Sequence, residues 1–206
     1  MQVVTARAFD GAERLLDSMF ADRKAVFVDL LGWEVPHDER AERDEFDNDE
    51  AEYLVVTEQG TSDHLASLRM LRTDRPHILG SLFPELCEGV VPAAPDIREV
   101  SRICLSPRHR GSDRWLYRDL LATAMTEYAL LMGIRAYTAV SEMGRLSRVL
   151  SAGWRCEPLG MPRKIGRTMV GALMIYIEPD TIRRLQAFGR YHPGALRLEE
   201  RAELAA

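Results

Sequence analysis

The chain has 206 residues, 46% hydrophobic and 29% charged, a balance that suits one folded domain with a substantial core and excludes disorder. A net charge of −5 argues against a general nucleic-acid binder, and the longest apolar stretch, residues 169–177, is too short to span a membrane. Three widely spaced cysteines and an N-terminus without a basic start or long apolar run lead to the expectation of a cytoplasmic protein with no disulfide framework and neither membrane nor nucleic acid as partner.

Residues 2–6 read as a first strand. Over 11–31 the apolar residues Leu15, Leu16, Met19, Phe20, Val26, Phe27, Leu30 and Leu31 follow helical spacing, and Gly32 and Pro36 stop the helix. Residues 34–50 are acidic and poor in apolar side chains, an ordered loop rather than a domain. Two strands, 51–58 and 64–72, flank a turn at Gly60-Thr61-Ser62-Asp63. The Pro- and Gly-rich stretch 74–95 reads as loop with a helical turn near 82–86. Then come a strand (98–105), a long amphipathic helix (113–132) ended by Gly133, a strand (136–140), a helix (143–152), an apolar strand (168–177) and a last helix (179–188). The charged tail beyond about residue 190 is expected to fray. Several strands before the main helix and strand-helix-strand units after it predict an α/β (α+β) fold, one domain over 1–206, with a mixed, mainly antiparallel sheet flanked by helices.

Chemistry concentrates between Arg23 and Asp47, where a cation, the aromatics Phe27 and Trp33, and the carboxylates Asp44 and Asp47 gather as a helix gives way to a loop. Arg23 and Phe27, four apart, share a helix face. Alone, each aromatic is core packing and the aspartates are a solvated loop; together they suit a small zwitterion with a cationic centre. The strand Arg98-Glu99-Val100-Ser101-Arg102-Ile103-Cys104-Leu105 carries ionisable residues that need partners. Alternation sets Glu99, Ser101 and Ile103 on one face and Arg98, Val100, Arg102 and Cys104 on the other. Asp44 and Asp47 suit Arg102, and Glu99 suits Arg69, either as a salt-bridge cluster at a sheet edge or as a charged pocket.

The following stretch, Arg108-His109-Arg110-Gly111-Ser112-Asp113, resembles the phosphate-binding turn of the GCN5-related N-acetyltransferases, with Asp113 where a second small residue is usual. A carboxylate suits a helix start but repels phosphate, so the coenzyme A cradle reads as degraded. Taken together these stretches closely resemble the acyl-homoserine-lactone synthases, the autoinducer synthases of bacterial quorum sensing. Arg23, Phe27, Trp33, Asp44, Asp47, Arg69, Glu99 and Arg102 reproduce in order the eight hallmark residues of that family, and the resemblance covers roughly residues 1–180.

The resemblance implies an N-acetyltransferase-like fold and two substrates, S-adenosylmethionine and an acyl thioester on acyl carrier protein or coenzyme A. It implies no further cofactor, and the five histidines and three cysteines show no metal-ligand spacing. Glu99 is the expected base for the amine, or a group that holds Arg69 or the amine in place. Arg23 holds the substrate carboxylate or braces Asp44 and Asp47. The implied acyl pocket includes Ser141, Phe83 and Ile103, with Ser141 at the position that contacts a substituted third acyl carbon and chain length set between the sheet and the helix from Met143. Arg145, Arg148, Arg155, Arg163 and Lys164 are candidates for the surface that meets an acidic carrier protein. The alternatives are a coenzyme A-dependent N-acyltransferase acting on a small amine, or a sensor that has lost the chemistry.

Overall fold

The computed structural model describes residues 1–7, 12–109, 111, 113–150 and 152–198, and the side chains of all of these except 7, 147 and 148. Among the described residues nine strands make one sheet: β1 (Gln2–Arg7), β2 (Glu52–Thr57), β3 (Ala66–Arg72), β4 (Ile97–Leu105), β5 (Ala136–Glu142), β6 (Arg155–Pro158), β7 (Arg163–Ile165), β8 (Thr168–Tyr176) and β9 (Leu196–Arg197). Their order is β6-β8-β5-β4-β3-β2-β1-β9, with β7 also on β8. All pairings are antiparallel except β4–β5 and β1–β9.

One face is covered by α3 (Asp113–Met132), whose Tyr117, Leu120, Leu121, Ala124, Met125 and Tyr128 recur at helical spacing and pack on Leu54, Leu68, Met70 and Val100. Gly133, at a positive φ of 67°, ends it. The helix α4 (Met143–Leu150) lies on the same face through Leu146, and α5 (Thr181–Ala187) packs against α3. The opposite face is covered by α1 (Glu13–Arg23), which buries Leu15, Leu16, Met19 and Phe20 against Tyr53, Val55 and Leu71, and by the short α2 (Ile78–Leu82) with a 3₁₀ turn at Pro84–Leu86. Among the described residues no helix is long and apolar enough to cross a membrane.

Several expectations are corrected. The first helix does not run regularly to Leu31: residues Lys24–Leu30 form a π-turn, in which Leu31 N–H bonds the Val26 carbonyl at 3.0 Å, five residues back. Lys24 and Asp29, five apart, accordingly form an ion pair at 2.9 Å. The single helical turn expected near 82–86 is two pieces, α2 and the 3₁₀ turn. Strands β6, β7 and β9 went unread, being only four, three and two residues long. Through residue 198 the tail is not frayed, because β9 adds a parallel rung beside Val3 and Val4; residues 199–206 lie outside the described part.

Strand β4 positions the site. It pairs with β5 only from Ile97 to Val100, opposite Ala136 to Ala139. Beyond that point the two parallel strands part, leaving a split bordered by Ser101–Ile103 on one side and Val140–Glu142 on the other. On its other edge β4 bulges: Ser67 pairs with Cys104 and Arg69 with Ser101, so Arg102 and Ile103 together oppose Leu68. Arg102 is the only non-glycine at positive φ (50°) among the described residues. The bulge shifts the phase of the strand, so simple alternation fails after Ser101.

Candidate active site

The bulge, the end of α1 and the loop that follows it bring the charged residues together. Arg102 donates from Nε to Glu42 at 3.0 Å and from Nη2 to Asp44 at 2.7 Å. Arg69 forks onto Asp44 at 2.6 and 3.1 Å and reaches the Ser101 hydroxyl with Nε at 3.1 Å. Arg23, fully buried, donates to both oxygens of Asp47 at 2.8 Å and to Glu42 at 2.6 Å. Asp47 also accepts from the Tyr53 hydroxyl at 2.8 Å and the Asp44 N–H at 2.9 Å. Three guanidinium groups thus meet three carboxylates in a network that is neutral overall. Burial alone would raise the Asp47 carboxyl, but Arg23 and Arg69 hold it well below the usual carboxylate range.

Beside this network, Phe27 and Trp33 stack with centroids 4.7 Å apart and planes 9° from parallel. The chain reversal at Gly32, at a positive φ of 66°, permits this: the Trp33 N–H returns to the Phe27 carbonyl at 2.8 Å. The Arg102 guanidinium carbon lies 5.8 Å from both ring centroids. Cation, carboxylate and aromatic faces are therefore adjacent, as the zwitterion reading requires. A groove of about 600 Å³ beside Phe46, Leu71, Arg72 and Arg75 is a separate feature, whose lining does not include Glu99, Phe27 or Trp33.

Glu99 is 0% exposed and is not the partner of Arg69. Both of its oxygens lie 3.2 Å from the Leu79 N–H, at the start of α2. Burial pushes its carboxyl up to about 7, opposed by the Leu79 N–H and by the charges of Arg69 and Arg102. A carboxyl in this range exchanges a proton near neutral pH, as a base for an amine must.

The sequence reading missed Glu42, Tyr53 and Ser101. With Glu99 on the Leu79 N–H instead of on Arg69, three arginines face two aspartates, and Glu42 supplies the third carboxylate. It also missed a second buried cluster, in which the His64 ring contacts Asp22 at 2.7 Å and the Ser67 hydroxyl at 2.9 Å. Arg108, the arginine of the phosphate-turn resemblance, is tied there: it donates to Asp22, to the Ser18 hydroxyl and to the His64 carbonyl at 3.1–3.2 Å. Arg110 and Ser112 of that turn lie outside the described residues.

The expected acyl-pocket residues are scattered. Phe83 is half-buried and packs on the cluster around Leu79 and Leu86, on the face that carries Glu99. Ile103, 45% exposed, borders the split instead of facing with Glu99, because of the bulge. Ser141 falls on the opposite face: it pairs with Gly171, whose missing Cβ would sit 3.1 Å from Leu146 and Met143 of α4. The β5 hydroxyl on the Glu99 face is Thr138, the register partner of Glu99, fully buried and, among the described residues, with no hydrogen-bond partner for its Oγ1. The candidate carrier-contact residues sit on three elements, α4, β6 and β7. Arg155 on β6 is compensated by Glu157 and Glu178 at 2.8 and 2.9 Å. Arg145 lies 4.0 Å from Glu142, and the Arg148 side chain lies outside the described residues. Arg163 and Lys164 share the exposed strand β7, with Arg163 bonded to the Glu85 carbonyl.

A sheet that splits between two parallel strands, with a buried carboxyl at the root of the split and a long helix following the first strand, defines the N-acyltransferase class of fold. A proposed N-acetyltransferase from Lactobacillus plantarum shares it, with a TM-score of 0.58 at 19% identity over 86% of this chain and 100% of that one. The chain belongs to the autoinducer synthase family, whose sequence profile matches residues 10–185. An acyl-homoserine-lactone synthase from Rhizobium etli is 31% identical over 192 residues, covering 91% of this chain and 89% of the relative. One from Pseudomonas aeruginosa is 29% identical, covering 88% and 90%. Among solved structures, the CoA-dependent acyl-homoserine lactone synthase BjaI with MTA superposes with a TM-score of 0.86 at 25% identity, over 96% and 93% of the two chains. LasI gives 0.75 at 28% identity, over 97% of each. The protein is accordingly an acyltransferase of the acyl-homoserine-lactone synthase type.

Proposed function

We propose that the chain transfers an acyl group from acyl carrier protein to the amine of S-adenosylmethionine and then closes the lactone, with Glu99 as the base. The observation that carries this reading is a buried carboxyl held near neutrality at the root of the split, beside a neutral Arg–carboxylate network and a stacked aromatic pair. The amine nitrogen attacks the thioester carbonyl as Glu99 takes its proton, directly or through one water, and the thiol leaves. The β4 N–H groups facing the split are the proposed donors to the oxyanion. The carboxylate oxygen then attacks the carbon bound to the sulfonium, whose C–S bond breaks to release methylthioadenosine; both reactants are in one molecule, so positioning supplies most of the rate.

In this scheme Phe27, Trp33 and Arg102 face the adenosyl and carboxylate parts of the substrate. Arg23, Asp47 and Arg69 hold the frame. Arg23 is wholly spent on Glu42 and Asp47, which favours the bracing role over direct binding. Incubation with labelled S-adenosylmethionine should release methylthioadenosine only when an acyl donor is present. Binding without turnover would instead indicate a sensor.

For the donor, acyl carrier protein is favoured because Arg108 is committed to Asp22 and Asp113 puts a carboxylate in the first turn of α3, where a pyrophosphate would sit. The second reading, acyl-coenzyme A, is favoured by the likeness to BjaI. Arg163 and Lys164 are the proposed carrier contacts, and the KM for a carrier-protein donor should rise with salt while that for a coenzyme A donor should respond less.

The contact to a substituted third acyl carbon moves from Ser141 to Thr138, the buried hydroxyl beside Glu99. Thr138→Val should lower the share of 3-oxo or 3-hydroxy products relative to unsubstituted ones by about tenfold, the loss of one buried hydrogen bond. Ser141→Ala should leave the ratio alone. Mass spectrometry of extracts from expressing cells reads both; the reverse pattern restores Ser141.

A further inference from the structure

The second buried polar cluster takes no part in the chemistry above. At its centre is His64, 0% exposed, just before β3. All four of its polar atoms are bonded. Its main-chain N–H donates to the Ser18 hydroxyl at 3.2 Å, and its carbonyl accepts from Arg108 at 3.2 Å. Its ring meets the Asp22 carboxylate through Nδ1 at 2.7 Å and the Ser67 hydroxyl through Nε2 at 2.9 Å. Burial opposes charge on the Asp22 carboxyl, but His64, Arg108 and Ser106 hold it below its usual value, so Asp22 is an acceptor. Nδ1 therefore carries the ring proton, and Nε2 accepts from Ser67. These bonds join three elements: Ser18 and Asp22 are on α1, Ser67 is the β3 residue beside the bulge, and Arg108 follows β4. Asp22 immediately precedes Arg23, whose bonds to Glu42 and Asp47 go to the loop after α1. The ion network thus holds α1 through that loop, whereas His64 ties its last turn straight to the start of β3. A fully satisfied buried polar node fixes one arrangement of the elements it joins.

We propose that His64 is a positioning residue for S-adenosylmethionine: by holding Asp22 against β3 it sets where Arg23 and, four residues on, Phe27 stand over the sheet. This rests on the synthase reading above and adds to it a residue that acts through Asp22 without touching substrate. Arg23 and Phe27 follow Asp22 without a break in the coil, so a shift of the last turn of α1 displaces both. The stacking of Phe27 on Trp33 at 4.7 Å and the 5.8 Å approach of Arg102 depend on that placement. Glu99 and Thr138 stand on β4 and β5, and neither bonds the node. The loss of His64 therefore falls on binding of the adenosyl substrate and spares the proton transfer.

The test is steady-state methylthioadenosine release at varied S-adenosylmethionine and saturating acyl donor. His64→Gln moves the amide to the place of Nε2 and loses the Asp22 bond. It should raise the KM for S-adenosylmethionine about tenfold, the order of one hydrogen bond to a charged group, with kcat within about twofold. His64→Asn keeps an N–H at the place of Nδ1, so its KM should return to within about twofold of the unmodified value. His64→Leu loses both ring bonds and should match His64→Gln; should it not fold, the two amides carry the comparison alone. Equal KM values for the Gln and Asn variants, or a fall in kcat at unchanged KM, overturn the positioning role and leave the synthase reading standing. A node that only stabilises the fold lowers Tm without separating the two amides in KM. No methylthioadenosine from the unmodified enzyme with any donor overturns both.

Discussion

Glu99→Gln should lower kcat by about 10²- to 10⁴-fold while leaving the fold intact. The amide oxygen can still accept from the Leu79 N–H, so the buried contact at the start of α2 survives. The pH dependence separates a base from a merely structural carboxyl. With its carboxyl at about 7, Glu99 is the competent base only above that value, so kcat should rise with pH through about 7 and then level off. The residual activity of the variant should lack this inflection. The stability has the opposite sign. A carboxyl raised in the folded state binds its proton more tightly than in the unfolded chain, so stability falls as pH rises from about 4.5 to about 7, in total by on the order of 3 kcal/mol. The variant should therefore be at least as stable as the unmodified protein at pH 8 while nearly inactive. A wild-type pH profile flat from 6 to 8 would remove Glu99 from the role of base.

Asp47→Asn should act through the frame instead. Asp47 accepts two bonds from Arg23, one from Tyr53 and one from the Asp44 N–H, and it balances a guanidinium with no exposed surface. Removing its charge leaves Arg23 underpaired in the interior, a loss of about 3–5 kcal/mol. For a domain of this size that should lower Tm by roughly 6–20 °C. The linkage is that of a depressed carboxyl: the stabilisation is complete above the unfolded value near 3.8 and is lost as pH falls below it. The unmodified protein should lose stability steeply on acidification below about pH 4, and the variant less so. Denaturant titrations of both at pH 7 and pH 3.5 check this. A loss under 1 kcal/mol at pH 7 would mean that Arg23 finds other partners.

These two residues show how unevenly the site was written in the chain. The identity of Arg23, Asp47, Arg69 and Glu99 was legible from their order and type, and the strands and helices that carry them were legible from periodicity. Their partnerships were not. Glu99 was paired with Arg69 on the assumption that charges on neighbouring strands meet, whereas Arg69 is drawn to Asp44 and Glu99 to a helix start. Arg102 was assigned to the wrong side because alternation has no way to register a bulge, which depends on a register fixed across two strands. Glu42 sits in an acidic run whose neighbours Arg43 and Glu45 are exposed, so nothing local marks it as buried. Ser141 and Thr138 are three apart on β5, so their hydroxyls fall on opposite faces of the sheet, a distinction that needs the strand register. The two-residue β9 owes its existence to a partner far away in sequence, β1, and the three-residue β7 to a tight hairpin with β8.

The wide turn after α1 has a consequence of its own. Seven residues coil there more loosely than an α-helix, and Phe27, inside that coil, meets Trp33 just past its end. Deleting any one residue from Val28 to Leu30 would let the coil tighten and swing everything downstream by about 100°. The aromatic sandwich would then come apart with every side chain named in it still in place. Inventories of essential amino acids overlook this spacing, and a short deletion there should silence signal production as thoroughly as a substitution of Glu99.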